Sequence, residues 1–353
     1  MIVRFGFVAM SMLLENASPS RTMTYRNFSR LPERDAAVRR LERIGEENLH
    51  NTLRVLRHCA AHDIRVYRLS SKLIPLATHE ELADWDPVHA LADSFAEVGA
   101  FIQRQGIRAS FHPDHYCVLS TPRQEVLDKS VADLEMHVRM MEALGLDEAY
   151  KCNIHVGGAY GDKPSSGERF LRQFGALAER YRHRITLEND DKTFTAEETL
   201  SIAEAAGVPM VLDIHHHAVN DGALAPERLV GELWPRIAAT WAAERERADR
   251  AGLGGGSEAL ASLLAPKIHA SSPKSPQDPR GHADDVELGP LLAFLQDIAA
   301  TGATPRVDVM LEAKRKDEAL MRLMDGLRQE AAASGRLRIT GDASIVIESS
   351  SRP

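Results

Sequence analysis

Eight short apolar runs, each followed by a stretch with helical spacing, divide this chain, and most of the later runs end on side chains that bind metals. "RASFH" ends at His112, "KCNIH" at His155, "RITLE" at Glu188 and "PMVLD" at Asp213, while "PKIHA" carries His269 and "DVMLE" ends at Glu312. Strand-like runs alternating with helices predict a parallel sheet, and their number predicts closure into a (β/α)8 TIM barrel. In such a barrel the carboxyl ends of the strands converge on one face, which carries the active site. An open doubly wound sheet would also fit the alternation, but it presents ligands at one or two switch points rather than at six strand ends. The expected fold is an α/β TIM barrel over residues 1–330 with a metal cluster at the C-terminal face of its strands. The tail, 331–353, is expected to be a short hairpin or a disordered extension.

Strands are expected at Ile2–Val8, Ile64–Leu69, Arg108–His112, Lys151–Val156, Arg184–Glu188, Pro209–Asp213, Pro266–Ala270 and Val307–Leu311. A long amphipathic helix from about Ala36 to His62 carries Leu41, Leu49, Leu53 and Leu56 at helical spacing. Others are expected at His89–Gln105, from Pro122 to Leu144 with Gly145 as the stop, at Glu168–Arg182, at Leu288–Ala300 and at Lys316–Glu330. Thr195 and Glu198 have the spacing of a capping box. Pro235 is expected to interrupt a helix, and "GLGGGSEALAS" reads as a flexible surface insertion.

At 353 residues, 44% apolar and 27% charged, the chain has the size and core of a decorated barrel. A net charge of -8 argues against a bulk polyanion binder. Bound divalent cations would offset several of the carboxylates behind that charge. Cys59, Cys117 and Cys152 form no CxxC pair, which excludes a disulfide scaffold or zinc ribbon and suits a reducing cytoplasm. "MIVRFGFVAM" is too soon interrupted by charge for a signal peptide, and no run approaches a membrane span. A soluble cytoplasmic protein is expected.

Each motif also has an ordinary reading. Asp213 and His216, three apart beyond a strand, can share one ion, but of His215, His216 and His217 at most one or two can point the same way. "FHPDHY" follows His112 with a Pro113 turn that projects His115 and Tyr116, or simply packs an aromatic. "NIHVGGAYG" joins His155 to a glycine-rich loop able to approach a phosphate, a weak signal without P-loop spacing. Glu188 lies in register with a buried strand, where an unpaired carboxylate is costly. Asp190 and Asp191 read as a solvated loop. Lys267 shares a strand face with His269 and needs a carboxylate or metal-linked partner, and His282 follows a glycine in "DPRGHADD". Oxygen and imidazole donors without thiolate favour Mn²⁺, Mg²⁺ or Zn²⁺. Two or three such ions could clamp a phosphodiester and activate water.

"RFGFVAMS", "YRLSSKLIPLATH", "SFHPDHY", "NIHVGGAYGDK", "TLENDDKT", "LDIHHH", "PKIHASSPKS", "GHADDV" and "MLEAKRKDEALMRLMD" resemble, in order, motifs of the UV damage endonuclease family. The resemblance runs from about residue 2 to residue 327. It implies a manganese-dependent barrel that nicks DNA 5′ to ultraviolet photoproducts and acts at abasic sites. The implied metal ligands are His112, His155, Glu188, Asp213, His216, His269, His282 and Glu312. Lys267 matches a lysine that can be modified, His115 and Tyr116 match residues that probe the lesion, and Phe7 matches an aromatic near the DNA. His115 stands where many members have glutamine.

The chain therefore reads as a metal-dependent endonuclease of damaged double-stranded DNA, expected to be monomeric, with Glu188, Glu312 and Lys267 as catalytic candidates. Lys163, Lys192, Lys274 and Arg280 are the candidate basic rim. The alternatives are a divalent-metal sugar isomerase on the same barrel and a damage-binding protein without turnover.

Overall fold

The computed structural model describes residues 1–113 and 116–348. In chain order the strands are β1 (Ile2–Val8), β2 (Val66–Arg68), β3 (Arg108–Ser110), β4 (Cys152–His155), β5 (Ile185–Glu188), β6 (Met210–Asp213), β7 (Lys267–Ala270), β8 (Pro273–Ser275), β9 (Asp278–His282), β10 (Arg306–Leu311), β11 (Leu337–Gly341) and β12 (Ser344–Ile347). Strands β1 to β7 with β10 form the eight parallel staves, and β10 returns to pair with β1. Between β3 and β4 the pairing thins to a single bridge, Phe111 to Cys152, so the barrel is nearly closed. Among the described residues, no helix is long and apolar enough to cross a membrane.

The expected periodicities explain most elements. The helix Arg34–Ala61 buries Leu41, Leu49, Leu53 and Leu56, one stripe of a 3.6-residue repeat. At Thr195 both halves of the capping box are made, and Gly145 has the left-handed φ of +67° expected past a helix end. Val3, Phe5 and Phe7 of β1 are fully buried. At the amino end of the barrel, Arg4 grips Asp308 through two 2.7 Å hydrogen bonds while Arg108 reaches the same carboxylate at 2.6 Å. These two cations outweigh the desolvation of burial and hold the Asp308 carboxyl below its usual range.

Three segments differ from the sequence reading. A helix begins at Lys163, ahead of the expected Glu168, because Asp162 caps the Ser165 N–H and Pro164 suits a first turn. Pro235 does interrupt the regular helix: backbone from Pro226 to Arg250 stays helical, with a π-helical turn at Leu229–Leu233 just ahead of the proline. Within the supposed flexible insertion, Ser257–Leu263 is helical and buries Leu260 and Leu263. Strands β8 and β9 form a hairpin within a proline-rich stretch where no strand is expected from the sequence. Residues 337–347 form a second hairpin, whose β12 adds antiparallel to β1.

Candidate metal centre

Four histidines are oriented by the same device. The Nδ1 atoms of His112, His155, His216 and His282 lie 2.9, 3.2, 3.0 and 2.8 Å from the backbone carbonyls of Pro113, Glu188, Asn189 and Glu312. A carbonyl only accepts, so each Nδ1 carries a proton and Nε2 is the ring atom left for a cation, once any proton on it is displaced. Anchoring one ring nitrogen in this way fixes tautomer and ring plane, as proteins do for metal-binding imidazoles.

Those rings meet carboxylates from the strand ends. Donor atoms of His112, His155 and Glu188 lie within 4.8 Å of one another, and so do those of Glu188, Asp213, His269 and Glu312. Glu188 therefore belongs to both groups. His216 Nδ1 lies 3.6 Å from both Glu188 and Asp213, and His282 Nδ1 lies 3.9 Å from Glu312. Six of the eight side chains expected as ligands thus fall in the two donor groups, and His216 and His282 lie beside them. Two features fit this donor set to cations. His112 Nε2 faces Glu188 Oε2 at 3.2 Å, close enough for one cation to take both atoms in place of the proton between them. Asp213 Oδ2 is buried with no hydrogen-bond partner, a costly state for a carboxylate oxygen unless it ligates.

The electrostatics follow from this crowding. Burial pushes the Asp213 carboxyl up to about 7, with Glu188 and Glu312 adding to the shift. Burial opposes charging of His216 and His269, but the surrounding carboxylates prevail and raise both to about 9. Glu188 and Glu312 are held well below the usual carboxylate range despite burial, Glu188 chiefly by His269 and His155, and Glu312 chiefly by Arg68 and His269.

Supporting residues that sequence reasoning missed hold the carboxylates in place. Arg68, at the end of β2, donates to Glu312 Oε1 at 2.5 Å. Asn153 donates to Glu188 Oε2 and accepts from Thr186, while Asn189 ties β5 to β6 through the Asp213 backbone. Arg68 had a legible signal, because "YRLSS" puts a charged residue at a strand end just as the later runs do. Asp190, expected in a solvated loop, instead accepts the backbone N–H groups of Lys192, Thr193 and Phe194.

Several expected positions are corrected. Lys267 has no carboxylate at hydrogen-bond distance among the described residues; its amine donates to Ser110 Oγ at 3.2 Å. Burial and Arg108 push its pKa well below the usual lysine range, and Asp308 only partly opposes them. Phe7 is no surface contact, because it is fully buried and packs edge-on against Tyr67 at 5.5 Å. Of the histidine triplet only His216 joins the donors: His215 points to the Arg280 carbonyl at 3.4 Å and His217 is buried elsewhere. Lys163 is held by Glu198 at 2.9 Å, a partner that also caps a helix.

A cleft of about 360 Å³ opens beside the donors, with His112, His155 and His216 in its wall and Lys192 at its rim. Gly157 also lines it at a φ of +113°, where a Cβ would lie 2.5 Å from Ser120 Oγ, so no other residue fits without movement. Tyr116 is 73% exposed on the loop after β3. His115 lies outside the described residues. Lys274 pairs with Asp278 at 3.2 Å in the β8–β9 hairpin, and Arg280 donates to the Asp191 carbonyl at 3.2 Å.

Comparison with known proteins agrees with this geometry. A family model described as UV-endonuclease UvdE matches residues 3–337. A UV DNA damage endonuclease of Bacillus pumilus (strain SAFR-032) is 39% identical over 339 residues, covering 96% of this chain and 97% of its own. One from Halalkalibacterium halodurans is 38% identical, covering 93% of this chain and 95% of its own. Among solved structures, that of SacUVDE superposes with a TM-score of 0.75 at 26% identity, over 93% of this chain and 99% of its own. The chain belongs to the UV-endonuclease UvdE family.

Proposed function

We propose that this chain is a divalent-metal-dependent DNA repair endonuclease, a hydrolase that nicks damaged duplex DNA on the 5′ side of ultraviolet photoproducts. Its substrates in this reading are cyclobutane dimers, 6-4 photoproducts and abasic sites, and its products a 3′-hydroxyl and a 5′-phosphate. The observation that carries the reading is the donor assembly, in which Nδ1-anchored histidines and strand-end carboxylates converge in a member of this family.

Glu188 would bridge the two donor groups, with His112 and His155 on one side and Asp213, His269 and Glu312 on the other. His216 and His282 would complete the shell through their Nε2 atoms. Two or three bound ions, Mn²⁺ in this reading with Mg²⁺ or Zn²⁺ as alternatives, would polarise the scissile phosphate and acidify the attacking water. Lys267, two residues before His269 on β7, would be the proton-handling group in this reading, its pKa pushed well below the usual lysine range by burial and Arg108. Glu312 is kept ionised by Arg68 and so stays available as a ligand. His115 and Tyr116 would press into the damaged step, where unstacking costs least. Lys192, Lys274 and Arg280 would contact phosphates, with Lys163 the weakest candidate because of its Glu198 partner. The enzyme would act as a monomer in the cytoplasm.

The test is a duplex of defined sequence carrying one photodimer, incubated with the protein and Mn²⁺. A single cut immediately 5′ of the dimer, with a ligatable 3′-hydroxyl, is expected. Binding without cutting would favour a damage-binding protein, and aldose–ketose interconversion a sugar isomerase.

A further inference from the structure

Large apolar side chains exposed on this protein are not scattered. Among the described residues they are Ile2, Met10, Met12, Leu13, Tyr116 and Tyr160, and all but Ile2 lie on loops that leave the carboxyl ends of barrel strands. Three of them, Met10 at 37%, Met12 at 55% and Leu13 at 49% exposure, stand together on the loop after β1. Apolar side chains held in water at one site mark a surface that meets something.

The loop beneath them is held rigidly. The buried Asp317 accepts hydrogen bonds from the Ser11 hydroxyl and, at 2.7 Å, from the Met12 N–H. The Ser11 hydroxyl in turn accepts the N–H groups of Leu13 and Leu14 at 3.1 and 3.0 Å. Ala9 is held at a φ of +57° by its N–H to the Arg68 carbonyl at 2.8 Å and by the Tyr67 hydroxyl on its own carbonyl at 2.5 Å. From the long helix, Asn51 donates to the Ser18 carbonyl at 3.0 Å, and Arg54 to the Asn16 carbonyl at 2.8 Å. A non-glycine residue held at positive φ is strained and persists where the surroundings over-determine it.

The same bonds join the ridge to the metal donors on two sides. Arg68, whose carbonyl anchors Ala9, uses its side chain to hold Glu312. Asp317, which anchors Met12, lies five residues after Glu312, and the intervening run includes Lys314, which is exposed, and Lys316, whose φ is +51°. The ridge is therefore tied by hydrogen bonds to residues that hold the metal donors.

We propose that Met10, Met12 and Leu13 form a preorganised apolar wedge that enters the base stack of duplex DNA beside the metal centre. This inference rests on the reading of the chain as a DNA endonuclease and adds a contact separate from Tyr116, which stands two staves further round the barrel on the loop after β3. Methionine and leucine are among the residues that architectural proteins insert between base steps to kink a duplex. Three side chains on a fixed loop fall far short of the roughly 800 Å² per partner of a stable protein interface. They also lack the amphipathic helix of a membrane-surface anchor. A wedge needs only a few side chains, held firmly.

The test is the double variant Met12→Ser with Leu13→Ser, compared with the unaltered full-length protein. Affinity is measured on a photodimer duplex and on its undamaged counterpart, with 2-aminopurine beside the dimer to report unstacking. The variant should lose about ten- to hundredfold in affinity for the photodimer duplex, together with the 2-aminopurine signal. The salt slope should stay constant because no charge changes, and melting temperature and metal content should also hold because both side chains are exposed. Met12→Leu should bind as the unaltered protein does. If the unaltered protein prefers the damaged duplex and the double variant matches it in affinity and fluorescence, the wedge is refuted and a protein partner becomes the better occupant. If the unaltered protein shows no preference for damage, the endonuclease reading falls, and the wedge with it.

Discussion

The side-chain amide of Asn189 donates to the Asp213 carbonyl and its oxygen accepts the Asp213 N–H, each at 2.9 Å. One residue thereby fixes the end of β5, which presents Glu188, against the end of β6, which presents Asp213. The Asn189 carbonyl also anchors His216 at 3.0 Å, so three candidate ligands depend on its position.

Asn189→Ala should therefore weaken divalent-metal binding by about ten- to hundredfold, the usual loss when a ligand's support is removed. Stability should fall by only about 1–3 kcal/mol, the cost of leaving one buried backbone pair unsatisfied. Titration calorimetry beside chemical denaturation separates these effects. Unchanged metal affinity with lost stability would make the clamp purely structural.

Metal binding should release protons. With His216 and His269 raised to about 9, both are largely protonated at pH 8, and an ion must displace those protons. Calorimetry in buffers of different ionisation enthalpy should report about two protons released at pH 8. Asp213, raised to about 7, should add to the count as the pH falls further, so apparent affinity should drop ever more steeply on acidification. Binding without proton release would mean that the ions lie elsewhere.

The eight-stave barrel was legible because apolar runs alternating with helical stretches are visible in the chain, and so were the strand-end positions of Glu188 and Asp213, whereas His216 and His282, on a helix and a hairpin, were fixed as ligands by the resemblance. Phe7 was misplaced because a single matching aromatic says nothing about facing, whereas its period-2 partners Val3 and Phe5 are buried with it. Asn153 and Asn189 were not legible, since their value lies in cross-strand contacts to Glu188 and Asp213 that only pairing creates. The β8–β9 hairpin was hidden by its prolines, which are tolerated in so short a two-stranded edge.

The charged floor of the barrel should dominate acid stability. Asp308 is held below the usual carboxylate range by Arg4 and Arg108 against the cost of burial. Its contribution is complete above the ordinary carboxylate range and is lost as pH falls through its depressed value. Asp308→Asn should cost about 3–5 kcal/mol at neutral pH by leaving the buried Arg108 and the partly buried Arg4 without their carboxylate. It should also flatten the acid limb of the stability profile. A variant as stable as the parent, with the same acid limb, would contradict this assignment.

Recognition should separate from chemistry at Tyr116, which is 73% exposed. If its ring replaces lost stacking worth roughly 1–3 kcal/mol, Tyr116→Ala should lower the preference for photodimer duplex by about one to two decades. Metal content should stay constant. An unchanged preference with a lowered melting temperature would make Tyr116 a packing residue of its loop.

The most direct measurement follows strand scission of a single-photodimer duplex while Mn²⁺ is titrated into chelator-treated protein, beside Glu188→Gln. Glu188 belongs to both donor groups. The account predicts incision that rises with metal occupancy and is nearly abolished in Glu188→Gln, with the fold unchanged by circular dichroism. Full incision by protein that elemental analysis shows to be metal-free, or by Glu188→Gln, would contradict it.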